Sequence, residues 1–192
     1  MKRTALILTF VFAMALAANA QAVAIGASVP NFALTDTDGK SVNLNDVKGK
    51  NGTVLIFVAT RCPVSNGYNE RMSILAKNYA AKGVNVVGIN ANVTEPASEI
   101  KAHAAEKGFT FPVLIDKGDV VADKLNAQVT PEAYLIDAAG KLVYRGRIDN
   151  DRSGERVTSN DLADAIEATL DGKAVAKTEI KAFGCSIKRA VE

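Results

Sequence analysis

Short apolar runs separated by polar punctuation fill most of the chain, and their period changes along it. Asn31-Phe32-Ala33-Leu34, then Asp38-Gly39, then Val42 and Leu44 predict two short strands about a tight turn, since Asp-Gly accepts positive φ between alternating apolar positions. The run Val54-Leu55-Ile56-Phe57-Val58-Ala59 is continuously apolar and rich in β-branched side chains, which predicts a strand covered on both faces at the centre of a sheet. Pro63 suits the first turn of a helix, where its missing N–H is not needed. Val64, Tyr68, Met72, Leu75 and Tyr79 follow at three- and four-residue spacing as far as Gly83, predicting one helix with a single apolar face and a glycine C-cap.

Next the pattern predicts a strand over 84–90, a helix over 95–107, a strand over 112–116 and a brief helix over 120–125. Strands alternating with helices imply a largely parallel sheet. The last third differs. Stretches 132–137 and 141–148 are rich in β-formers and joined by Ala138-Ala139-Gly140, which predicts an antiparallel hairpin. Thr158 with Asp161 three residues on has the form of a capping box, ahead of an amphipathic helix carrying Leu162, Ala165, Ile166, Thr169 and Leu170. Residues 173–192 form a tail without clear periodicity that contains Phe183 and Cys185. The expected fold is α/β, a central mixed sheet flanked by helices, with an N-terminal β-hairpin and a C-terminal tail.

The first residues change the picture of charge. Lys2 and Arg3 precede an apolar run from Ala5 to Ala18 broken only by Thr9, then the small residues Ala18-Asn19-Ala20, which is the order of a secretory signal peptide. The run falls short of the roughly 20 apolar residues that cross a bilayer. Residues 1–20 are therefore expected to be a signal peptide cleaved after Ala20, with Ala22 as the alternative point and an uncleaved anchor as the rival reading. The protein would be exported, periplasmic or otherwise extracytoplasmic, and without stable membrane insertion after cleavage. Cleavage removes two cations, so the 23 basic residues become 21 against 21 acidic ones. No electrostatic footprint for nucleic acid remains. Residues 21–192 are expected to form a single domain, long enough to bury a core without metals or several disulfides.

Candidate chemistry centres on two cysteines. Cys62 falls where the central strand ends and a proline-started helix begins, close to the partial positive charge of a helix N-terminus, which favours thiolate over thiol. A buried, inert cysteine is the competing reading. Arg61 would add to the effect if its side chain turned inward. A bond from Cys62 to Cys185 would close a loop of 123 residues and stabilise by about 5 kcal/mol through loop-closure entropy, so stability alone could justify the pair. His103 is the only histidine and is expected on a solvated helix surface. One histidine and two distant cysteines make no recognisable ligand set, so no metal and no cofactor is expected. Asn90, Asn92, Glu70 and Arg71 are placed by the pattern to line or support the thiol site, or merely to cap and pair.

Several segments, in order, resemble the thioredoxin superfamily, and more narrowly the redoxins related to the alkyl hydroperoxide reductase and thiol-specific antioxidant group. They are Val29-Pro30-Asn31-Phe32, Ala59-Thr60-Arg61-Cys62-Pro63-Val64-Ser65-Asn66, Gly88-Ile89-Asn90-Ala91-Asn92, Thr130-Pro131-Glu132-Ala133-Tyr134-Leu135-Ile136-Asp137 and Gly184-Cys185-Ser186-Ile187-Lys188. The resemblance implies a thioredoxin-like fold, with Cys62 as the attacking cysteine and Pro131 as the cis-proline that faces it. Ser65 stands where a thioredoxin carries its second cysteine, and Ile56 where it carries a buried acid. Ala59 replaces the threonine of a typical peroxiredoxin, and Pro131 sits near the place of its arginine. Thr60, Pro63, Ser65, Thr130 and Pro131 are then the expected substrate-contacting positions, with Arg61 and Asn92 supporting. Cys185 is the candidate resolving thiol. The implied activity is thiol-disulfide exchange with protein or small-molecule disulfides and thiols and an extracytoplasmic reductant. The alternatives are a thiol peroxidase and a non-catalytic binding module with a structural disulfide.

Overall fold

A computed structural model describes residues 22–190, so the expected signal peptide, residues 1–20, lies outside the described residues. The strands are β1 (Ala33–Asp36), β2 (Ser41–Asn43), β3 (Gly52–Phe57), β4 (Val84–Asn90), β5 (Val113–Ile115), β6 (Val129–Thr130), β7 (Glu132–Asp137), β8 (Leu142–Gly146), β9 (Glu179–Ile180) and β10 (Cys185–Ser186). The helices are α1 (Leu44–Val47), α2 (Pro63–Asn66), α3 (Asn69–Ala80), α4 (Ala97–Glu106), α5 (Val120–Leu125) and α6 (Asp161–Leu170). One eight-stranded sheet runs β2-β1-β5-β4-β3-β7-β8-β9, and β10 with β6 makes a separate two-stranded ribbon. The sheet is mixed: β3, β4 and β5 are mutually parallel, while β7 is antiparallel to both β3 and β8.

β3 lies inside the sheet and is buried along its whole length, as its unbroken apolar run predicts. Successive side chains point to opposite faces, so Val54 and Ile56 enter one core with Tyr68, Met72, Ile100, Leu162 and Ile166. Leu55 and Phe57 enter the other, with Leu44, Ile89, Leu125 and Tyr134. Ile56 is fully buried in apolar surroundings, which leaves no polar group at the position where the resemblance expects an acid. The N-terminal hairpin forms as expected, with Gly39 at φ 83° in its turn. Among the described residues no helix is long and apolar enough to cross a membrane.

Two expectations are corrected. The helix read from Pro63 to Gly83 is two, α2 and α3, joined through Gly67 and Tyr68. The Gly67 carbonyl accepts from the Arg71 guanidinium at 3.1 Å, and the buried Tyr68 hydroxyl donates to Asp149 Oδ1 at 2.9 Å, so the junction is tied to the 149–152 loop. The capping box at Thr158 does not form. The helix starts at Asp161 with Asn160 as N-cap, and the Asp161 carboxylate accepts from Arg147 Nε at 2.6 Å and Ser159 Oγ at 2.9 Å instead. The tail, which has no clear periodicity in sequence, carries two short strands: β9 extends the main sheet beside β8, and β10 returns to β6.

Candidate active site at Cys62 and Cys185

Cys62 is the N-cap of α2, with φ −85° and ψ 115°, and Pro63 takes the first helical position. The end of β3 delivers it there through Val58 and Ala59, both buried. Its Sγ accepts the Ser65 backbone N–H at 3.3 Å and lies 3.3 Å from the Thr130 carbonyl oxygen. A donor aimed at sulfur favours the charged thiolate when the bond to it is open. Ser65 is fully buried, and its hydroxyl accepts the Ala59 N–H at 3.2 Å. The residue in the place of a second cysteine therefore fastens the loop ahead of Cys62 and shapes its sulfur's surroundings from the backbone.

Cys185 meets this site by strand pairing. β10 runs antiparallel to β6 with Cys185 opposite Thr130 and Ser186 opposite Val129, and Cys62 and Cys185 form a disulfide with their Cα atoms 5.9 Å apart. The Thr130-Pro131 peptide bond is cis. A Cβ on Gly184 would lie 2.6 Å from the Thr130 carbonyl carbon and nearer still to its oxygen, so the approach of tail to loop requires glycine there. Thr130, one of the substrate-contacting positions that the resemblance implies, thus pairs with the chain's own tail.

Two carboxylates that the sequence reading does not single out fix the loop before Cys62. Glu95, 6% exposed, accepts the backbone N–H groups of Thr60 at 2.8 Å and Arg61 at 3.1 Å, and the Asn90 amide at 2.7 Å. Glu99 accepts the Thr60 hydroxyl at 2.8 Å and pairs with the Arg61 guanidinium at 2.8 and 2.5 Å. The Arg61 and Thr60 hydrogen bonds hold the Glu99 carboxyl down at about 2. Arg61 accordingly turns outward, its side chain 58% exposed, rather than inward to the sulfur. Glu95 lies just ahead of α4, whose N-cap is Pro96, and Glu99 in its first turn, so no helical spacing joins the two and only the fold brings them to the same loop.

His103 is half-buried rather than fully solvated. Its Nε2 lies 2.9 Å from Asn66 Oδ1, while Asn66 Nδ2 donates to Thr60 O at 2.9 Å, which orients the amide so that the ring nitrogen is the donor. Burial lowers its pKa, with Lys107 adding to the effect. Asn92, 7% exposed, supports the tail directly, its Oδ1 accepting the Lys188 N–H at 2.9 Å. Glu70 is exposed, and Arg71 is committed to Asp149 and the carbonyls of Asp151 and Arg152. Pro63 is exposed beside the sulfur.

Comparison with known proteins identifies the family and the fold. The AhpC/TSA family matches residues 25–145, a span that includes Cys62, Thr130 and Pro131 and ends before Cys185. "Thiol-disulfide oxidoreductase ResA" of Bacillus thuringiensis (strain Al Hakam) is 36% identical over 126 residues, 66% of this chain and 71% of that protein. The crystal structure of an uncharacterized conserved protein from Geobacillus kaustophilus is 36% identical with a TM-score of 0.82, covering 88% of this chain and 94% of that one. A thiol:disulfide interchange protein of the thioredoxin family from Chlorobium tepidum TLS, 23% identical, has a TM-score of 0.60 over 78% of this chain and 99% of that one. The last likeness speaks to the fold, which is thioredoxin-like. On the span of the family match and the sheet that carries it, the chain belongs to the AhpC/TSA family.

Proposed function

We propose that the protein is an exported thiol-disulfide oxidoreductase that works by reversible pairing of Cys62 and Cys185 in a single domain, residues 21–192. The observation that carries the reading is the register of β10 on β6, which holds Cys185 within bonding reach of a Cys62 sulfur that already accepts a backbone N–H. In the dithiol form the Cys62 thiolate attacks one sulfur of a partner disulfide, and the other sulfur leaves as a thiolate. Cys185, as thiolate, then attacks Cys62 Sγ, closes the internal disulfide and releases the second partner thiolate. Two electrons pass from the protein dithiol to the partner disulfide, and an extracytoplasmic thiol reductant reverses the sequence. Thr130 aligns the Cys185 strand, Pro131 shapes the loop, and Thr60 and Ser65 hold Cys62 through its neighbours. Export rests on the N-terminal pattern of Lys2, Arg3 and the apolar run that follows.

Cys185→Ser tests the division of labour. Challenged with glutathione disulfide, the reduced wild-type protein is expected to end as the internal disulfide without adduct, and the variant to keep one glutathione on Cys62 by peptide mass mapping. A variant that gathers no adduct contradicts the proposal. Hydrogen peroxide turnover lost in Cys62→Ser would instead assign a thiol peroxidase, and inertness to both reagents would leave a binding module.

A further inference from the structure

Building on the exchange reading above, we infer that the tail stays docked on β6 when the Cys62–Cys185 bond opens, so that the site exchanges with compact disulfides in preference to extended polypeptide. The contacts that hold the tail do not depend on the sulfur bridge. Ile187 is 7% exposed in the core that contains Leu125 and Ala127, and its N–H donates to Gln128 O at 3.0 Å. Lys188 donates its N–H to Asn92 Oδ1 at 2.9 Å and accepts the Val93 N–H at 2.8 Å. Arg189 pairs with Asp123 and donates to Ala127 O at 2.5 Å. On the other side of Cys185, the Phe183 ring packs on Tyr68 with centroids 6.4 Å apart. Each such backbone bond favours the docked state by roughly fivefold, so several in succession with a buried isoleucine keep the undocked state rare.

An extended partner would add itself as a strand along Val129-Thr130, and that edge is taken by β10. A peptide entering in the same register would also need glycine before its cysteine, because any Cβ there meets the Thr130 carbonyl. Cys62 remains approachable from the side of the exposed Arg61 and Pro63, but narrowly, since Cys62 is 4% exposed. A small symmetrical disulfide fits that approach. It takes two electrons from the dithiol and departs as two thiols, while the protein closes Cys62–Cys185 without the tail leaving.

The test compares the rate at which glutathione disulfide and a disulfide-linked extended peptide with glycine before its cysteine oxidise the reduced protein, by quench and mass, in the wild type and in Gly184→Ala. The wild type is expected to prefer glutathione disulfide by at least roughly tenfold, and Gly184→Ala, which forces the tail away from Thr130, to cut that ratio by roughly tenfold. Equal wild-type rates for the two oxidants overturn the inference while leaving exchange intact. Failure of both oxidants overturns the exchange reading itself. Amide exchange on the reduced wild type is independent of any variant: protected Ile187 and Lys188 N–H groups support docking, and exchange at free-peptide rates contradicts it.

Discussion

Glu95 keeps a carboxylate in a nearly dry position by accepting three hydrogen bonds, two of them from the backbone of the residues just before Cys62. Removing the acceptor strands buried donors, so Glu95→Ala is expected to cost about 2 kcal/mol in a denaturant titration and to slow alkylation-detected exchange at Cys62 by loosening Thr60 and Arg61. His103 gives the site a pH dependence. Its folded pKa lies below the ordinary 6.5, chiefly through burial, so the unfolded chain binds its proton first as pH falls. Its contribution is complete above that ordinary value and is lost as pH drops through the folded one. Comparing wild type with His103→Gln between about pH 8 and about pH 5, the wild type should lose the more stability over this range. Cys62 and Pro63 were legible in the sequence because a strand end and a proline-started helix make a local pattern, and Ser65 stood out through the resemblance to thioredoxins. Glu95 was not, because its backbone partners lie 35 and 34 residues away and no period joins them.

At the scale of elements, the junction between α2 and α3 decides how Cys62 is presented. Arg71 is shared between the Gly67 carbonyl at that junction and the 149–152 loop, where Asp149 is 3% exposed and also takes the Tyr68 hydroxyl. Asp149→Ala would remove the carboxylate from a partly buried guanidinium and a buried phenol, leaving them only backbone carbonyl acceptors, an expected loss of about 2 kcal/mol by chemical denaturation. The same substitution should free the tail's upstream end, because Tyr68 and Arg152 both pack on Phe183. The main strands and most helices were readable from period, since burial on one or two faces imposes it. The break at Gly67 was not, because Tyr68 continues the apolar spacing and only a distant aspartate turns Arg71 onto the carbonyl. Nor was β10, whose two residues carry no period and whose pairing comes from Gly184, Thr130 and the anchors beyond Cys185.

For the whole molecule, the sheet is a frame with a core on each face, and the two paired sulfurs come from residues 123 apart in sequence. The frame sets Cys62 at the end of its central strand and Thr130 at the start of a neighbouring one, and the tail closes the circuit. On the proposed function, this circuit opens and closes as a two-electron unit. The most direct measurement equilibrates the protein across a series of thiol-disulfide potentials, alkylates it and weighs it. One transition is expected, in which both thiols become modifiable together within the range of thiol-based reductants. Cysteines that stay unmodified across the whole series, or that become modifiable one at a time, would contradict it.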